Sequence, residues 1–142
     1  MSKTHQVLII DDEPSVADAL RLILEENGYQ AVAVATARAG IEEYRRRHFD
    51  VMIIDLRLPD MSGLDVLRKL HEEHAAFPAA ILITAYKTPQ LVSEAAALGA
   101  TEVLSKPFSP STLLSAVAAA ISSQATLNSS EARKDPPLQS PT

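Results

Sequence analysis

Cysteine is missing from the 142-residue chain. A disulfide framework and thiolate metal ligands are therefore excluded, and nothing argues for an oxidising compartment; a cytoplasmic location is expected. Long apolar runs are missing too. No stretch approaches the roughly 20 residues needed to cross a bilayer. The apolar run in the opening "MSKTHQVLIIDDE" is too short for a secretory signal and gives way at once to acids instead of a small-residue cleavage site. Positive charge is scarce: 13 Lys and Arg against 18 Asp and Glu leave a net charge of −5 and a pI near 5.3. That balance excludes non-specific nucleic-acid binding by the chain as a whole, though not by a local patch. No direct nucleic-acid or membrane partner is expected.

What is present suits one globular domain, with 46% hydrophobic residues and a mean hydropathy of +0.03. Short runs rich in Val, Ile and Leu recur at residues 7–10, 31–34, 51–54, 80–83 and 102–104. The first, third and fourth are nearly continuous, as in central parallel strands covered on both faces, and the weaker second and fifth suit sheet edges. Helical periodicity fills the intervals. After Pro14, the residues Val16, Leu20, Ile23 and Leu24 form one stripe that ends at Gly28, while Thr36 can cap a second helix carrying Ile41 and Tyr44. Leu64, Leu67, Leu70 and His74 line a third helix, and Leu91, Ala95 and Leu98 a fourth closed by Gly99. Pro110 opens a fifth, with Leu113, Val117 and Ile121 inward. Strands joined through helices run parallel with right-handed crossovers, so the pattern predicts a doubly wound α/β sheet.

The segment "VMIIDLRLPD" delivers a carboxylate, Asp55, where its strand leaves the core. In doubly wound sheets ligands bind at the carboxyl ends of the strands, and the other strands end in polar groups as well: Asp11 and Asp12 after the first, Thr84 after the fourth, Lys106 after the fifth. Three clustered carboxylates repel unless a cation sits among them. All-oxygen donors without Cys or a His cluster point to Mg²⁺, which keeps several waters and favours one or two carboxylates plus phosphate oxygens. A lysine and a hydroxyl beside such a carboxylate are the electrostatic kit for phosphoryl transfer. Taken singly, each residue has a plainer reading: the acids could start a helix, Thr84 could be an ordinary strand residue, and Lys106 a solvated loop lysine. Those readings give no reason for all five to share one rim. The pair His71 and His74, and "RRRH" at residues 45–48, are read as solvated helix ends, the arginines complementing the helix dipole. Met52 and Met61 are read as core and loop fillers.

From about Gln6 to Ser123 the chain resembles the receiver domains of bacterial two-component response regulators, of the chemotaxis-type fold. "IIDDEP" is similar to the paired acids of that family, "MIIDLRLPDMSGLDVL" to its phosphoacceptor strand and loop, "ILITAY" to its hydroxyl-bearing strand and "GATEVLSKPF" to its lysine-proline ending. The resemblance implies a flavodoxin-like, five-stranded parallel sheet in order 2-1-3-4-5 with five helices. It implies that Asp55 accepts a phosphoryl group from a sensor histidine kinase or phosphotransfer protein. Asp11, Asp12, Asp55 and the Arg57 carbonyl would hold Mg²⁺, and Thr84 and Lys106 would bind phosphoryl oxygens. Pro59 and Gly63 match turning positions of the loop, and the bond before Pro107 would be cis. The activity is that of a signalling switch that catalyses only its own phosphorylation and dephosphorylation. Its state would be read by an output domain or partner at the face of the fourth helix, fifth strand and fifth helix. Two departures bear on the switch: Val103 stands where the family often has Tyr or Phe, and Tyr86 and Arg57 occupy positions that tune water access to the phosphoryl group.

A receiver-like interaction module that is never phosphorylated is the alternative. A flavin-binding protein of the same fold class is disfavoured by acids where a flavin phosphate wants a hydroxyl- and glycine-rich loop. Residues 1–123 are expected to form the domain and 124–142, "QATLNSSEARKDPPLQSPT", a disordered tail or linker. Nothing after Ser123 is long enough for an output domain, so a free-standing receiver and the leading piece of a longer regulator both remain open.

Overall fold

The computed structural model describes residues 4–73 and 79–132, with side chains of the last helix as far as residue 123. Strands and helices alternate: β1 (Gln6–Ile10), α1 (Pro14–Glu26), β2 (Gln30–Val34), α2 (Ala37–Arg46), β3 (Val51–Asp55), α3 (Gly63–Glu73), β4 (Ala79–Thr84), α4 (Pro89–Ala97), β5 (Ala100–Ser105) and α5 (Pro110–Ala132). The strands form one parallel sheet in the order β2-β1-β3-β4-β5. β2 and β5, the two weaker runs, are its edges.

Alternation along each strand divides the core in two. Leu8, Ile10, Met52, Ile54 and Leu82 pack with Ile41 of α2, Leu67 and Leu70 of α3, and Leu91 and Ala95 of α4. Val7, Ile9, Val51, Ile53 and Ile81 pack on the other face with Leu20 and Leu24 of α1 and Leu113 and Val117 of α5. Because β1, β3 and β4 are covered on both faces, every one of their residues from Val7 onward can be apolar until the strand ends. Met52 is fully buried and Met61 packs against the α2–α4 side of the core.

The helix boundaries follow local chemistry. Pro14, Pro89 and Pro110 each stand at the first position of their helices, where a missing N–H costs nothing. Thr36 and Thr88 accept from Ala39 N and Leu91 N as caps. Gly28 and Gly99, at φ of 90° and 97°, turn the chain out of α1 and α4. Two differences from the sequence pattern stand out. α5 runs to Ala132, so the change of composition at Ser123 falls inside a helix: Gln, Ala and Leu continue it and no Gly or Pro occurs before Pro136. The arginines at the end of α2 are paired as well as near the dipole, Arg45 with Glu73 at 2.6 Å and Arg46 and Arg47 with Glu43 at 3.4 and 3.6 Å. His74 and residues 133–142 lie outside the described residues.

Candidate functional site

Register explains why the polar residues converge. β1 and β3 are neighbours with Ile10 opposite Ile54, so Asp11 and Asp55 leave the sheet side by side. This is also where the strand order reverses, β2 lying on one side of β1 and β3 on the other, which makes it the crevice of the sheet. Thr84 pairs with Ser105 across β4 and β5. Lys106 follows, two strand spacings or about 9.5 Å from β3, and its side chain reaches back across β4.

Carboxylate oxygens of Asp11, Asp12 and Asp55 lie within 4.8 Å of one another. Asp11 and Asp55 are buried, at 1% and 6% exposure, while Asp12 is exposed. The Lys106 ammonium sits among them, 3.3 Å from Asp55 Oδ2 and 3.5 Å from Asp11 Oδ2, with Glu13 Oε1 at 3.6 Å. Asp11 Oδ1 accepts from Glu13 N at 2.9 Å and Asp55 Oδ1 from Arg57 N at 3.2 Å. Asp11 Oδ2 is fully buried and accepts no hydrogen bond. Burial, reinforced by the charge of Asp55, pushes the Asp11 pKa up against the opposing pull of the Glu13 amide and Lys106. Burial alone would lower the Lys106 pKa, but the charges of Asp11, Asp55 and Glu13 outweigh it and raise the value. One ammonium is therefore shared among three carboxylates, Asp11, Asp55 and Glu13. Hard oxygen donors at this spacing, and a buried anionic oxygen with an ion pair but no hydrogen bond, fit a small divalent cation such as Mg²⁺.

Thr84, 3% exposed, holds the end of β4: its hydroxyl accepts from Tyr86 N at 3.0 Å and its carbonyl from Lys106 N at 2.7 Å. The Lys106–Pro107 bond is cis. The Arg57 guanidinium lies 5.6 Å from the centroid of the Tyr86 ring, and Tyr86 is 70% exposed. Val103, opposite Leu82, is buried in the α2–α4 side of the core. Gly63 lets the loop after β3 return beneath the site: a Cβ there would stand 2.6 Å from Asp55 O and 2.9 Å from Leu82 Cδ1, and Gly63 N donates to Leu56 O at 2.7 Å.

The structure thus brings together Asp11, Asp12, Asp55 and Lys106, with Thr84 latched to the backbone of Lys106. Two further residues were not singled out in the sequence. Glu13 is the third acid around Lys106, hidden in the sequence as a helix-starting acid. Asp60 reaches α2, and only the turn-forming "PD" dipeptide hinted that it had a special place.

The response regulator receiver domain family model matches residues 7–118. The transcriptional regulatory protein KdpE of Mycobacterium tuberculosis is 37% identical over 115 residues, covering 81% of this chain and 50% of that protein. The chain spans about half the length of several curated relatives it matches. Among solved structures, a CheY-like receiver domain protein from Methanospirillum hungatei superposes with a TM-score of 0.81 at 28% identity, covering 87% of this chain and 98% of the other. Vibrio cholerae chemotaxis protein CheY4 gives 0.77 at 28% identity, with 83% and 99% covered.

Proposed function

The chain belongs to the response regulator receiver domain family, and from that premise we propose that it is a phosphorylation-operated switch with Asp55 as acceptor, Mg²⁺ as cofactor and a sensor histidine kinase or phosphotransfer protein as donor. The observation that carries this reading is the cluster of Asp11, Asp12 and Asp55 oxygens around the Lys106 ammonium, in which the buried Asp11 Oδ2 has the 3.5 Å ion pair with Lys106 but no hydrogen bond.

An Asp55 carboxylate oxygen attacks the phosphorus of a phosphohistidine; the new O–P bond forms as the P–N bond breaks and its electron pair leaves with the imidazole. Asp11, Asp12, Asp55 and the Arg57 carbonyl would hold the metal, which when bound would supply positive charge to the phosphoryl oxygens. Lys106 exchanges part of its contact with Asp55 for a phosphoryl oxygen, and the Thr84 hydroxyl donates to another. Arg57 and Tyr86, stacked outside the acceptor, control water access and so the lifetime of the acyl phosphate. Labelling by acetyl phosphate should require the metal: intact mass should show one added phosphoryl group with millimolar Mg²⁺ and none with EDTA. Equal labelling in both would refute the metal's role.

Output is proposed to pass through the face of α4, β5 and α5 to an output domain or partner. Valine at 103 is short and stiff, with no hydroxyl to re-pair, so the signal travels by movement of Thr84 toward the phosphoryl group and a shift of β4 and α4. With beryllofluoride, Thr84→Ala should bind the mimic yet lose the amide shifts of α4, while Val103→Ala keeps them. The reverse pattern would contradict the proposal.

A further inference from the structure

We propose that Asp60 is a positioning residue for the acceptor site: its carboxylate, bridging two amides of α2, fastens the loop after β3 and with it the Arg57 backbone beside Asp55. The inference rests on the proposed function for its metal readout only.

Asp60 Oδ1 accepts from Ala37 N and Oδ2 from Arg38 N, both at 2.9 Å. Thr36, the cap of α2, serves Ala39 N through its hydroxyl at 3.1 Å and Gly40 N through its carbonyl at 3.0 Å. The first two amides of the helix are thus left to a residue 23 and 22 positions away. An ionised carboxylate at a helix N-terminus gains from charge-assisted bonds and from the dipole. Burial works against ionisation of Asp60, but the amides of Ala37 and Arg38 outweigh it and hold the carboxyl below its usual range.

The loop explains why this matters for the site. It is closed at its base by Gly63 N on Leu56 O and by the antiparallel pairing of Arg57 with Ser62. Its tip carries Asp60, so the carboxylate fixes the end that the base leaves free to rock. Arg57 belongs to the base, three residues before Asp60, and its amide holds Asp55 Oδ1. A movement of the tip therefore reaches the acceptor through one residue.

Capping α2 for its own sake is the competing role, and Thr36 separates the two. Thr36→Ala weakens the same helix end without touching the loop, whereas Asp60→Ala removes both the cap and the fastening. In Mg²⁺ titrations of the full chain followed by amide NMR shifts, Asp60→Ala should raise the dissociation constant roughly tenfold, as when groups orienting a metal ligand are lost. Asp60→Asn, which keeps one acceptor oxygen, should fall between it and wild type, and Thr36→Ala should match wild type. Unchanged affinity in Asp60→Ala, or an equal loss in Thr36→Ala, overturns the proposal. If wild type binds no Mg²⁺, the metal reading fails and the fastening is decided in the metal-free protein. Faster amide exchange at Arg57 and Gly63 in Asp60→Ala than in Thr36→Ala then upholds it, and equal exchange ends it.

Discussion

Asp55→Asn should acquire no phosphoryl group from acetyl phosphate in Mg²⁺ under conditions that label the wild type to completion. The loss is total because the reaction needs an anionic oxygen as nucleophile, and an amide oxygen is a poor one whose adduct does not persist. The fold should survive the change. Asparagine keeps the size of the side chain and can still accept from Arg57 N, as Asp55 does at 3.2 Å. What disappears is the 3.3 Å ion pair with Lys106 and, against it, the repulsion that Asp55 exerts on buried Asp11. Removing one of three crowded acids offsets much of the lost pair, so the thermal midpoint should stay within a few degrees of wild type. Intact mass and thermal unfolding together check the prediction: labelling of the variant at wild-type yield would displace Asp55 from its role, and an unfolded variant would be exposed by the melting curve.

Millimolar Mg²⁺ should raise the thermal midpoint of the wild type by several degrees. A ligand that binds only the folded state stabilises it by mass action, about 2.7 kcal/mol at a hundredfold excess over its dissociation constant, and each kcal/mol moves the midpoint of a domain this size by roughly 3–6 °C. The metal-free site supplies the reason: Asp11, Asp12 and Asp55 share one rim with a single lysine. Asp12→Ala should lose most of the Mg²⁺ effect, because exposed Asp12 is the acid free of ion pairing to Lys106 and the cheapest to turn toward a cation. Its metal-free midpoint should equal or exceed that of wild type, since a repelling charge has gone. A wild-type midpoint indifferent to Mg²⁺, or an Asp12→Ala midpoint that rises as far, would contradict the site.

The sheet was legible because its central strands are buried on both faces: "VLII", "VMIID" and "AILIT" leave little room for another reading. The crevice was legible for a related reason, since a charged or hydroxylated residue at the end of such a run must sit at the rim. Asp60 was not legible, because its partners are the amides of Ala37 and Arg38, and no local pattern announces a cap delivered from 22 residues away. Glu13 was masked by the acids before it. The end of α5 at Ala132 was not legible in the composition, since a polar helix extension and a polar linker draw on the same residues.

The central claim is that the phosphoryl group goes onto Asp55, and borohydride reduction tests it most directly. An aspartyl phosphate is reduced to homoserine, so peptide mass mapping of the labelled and reduced chain names the acceptor. The account predicts homoserine at position 55 and unmodified aspartate at 11 and 12, all of it dependent on Mg²⁺; conversion at Asp11 or Asp12, or none in a chain that carries label, would contradict it.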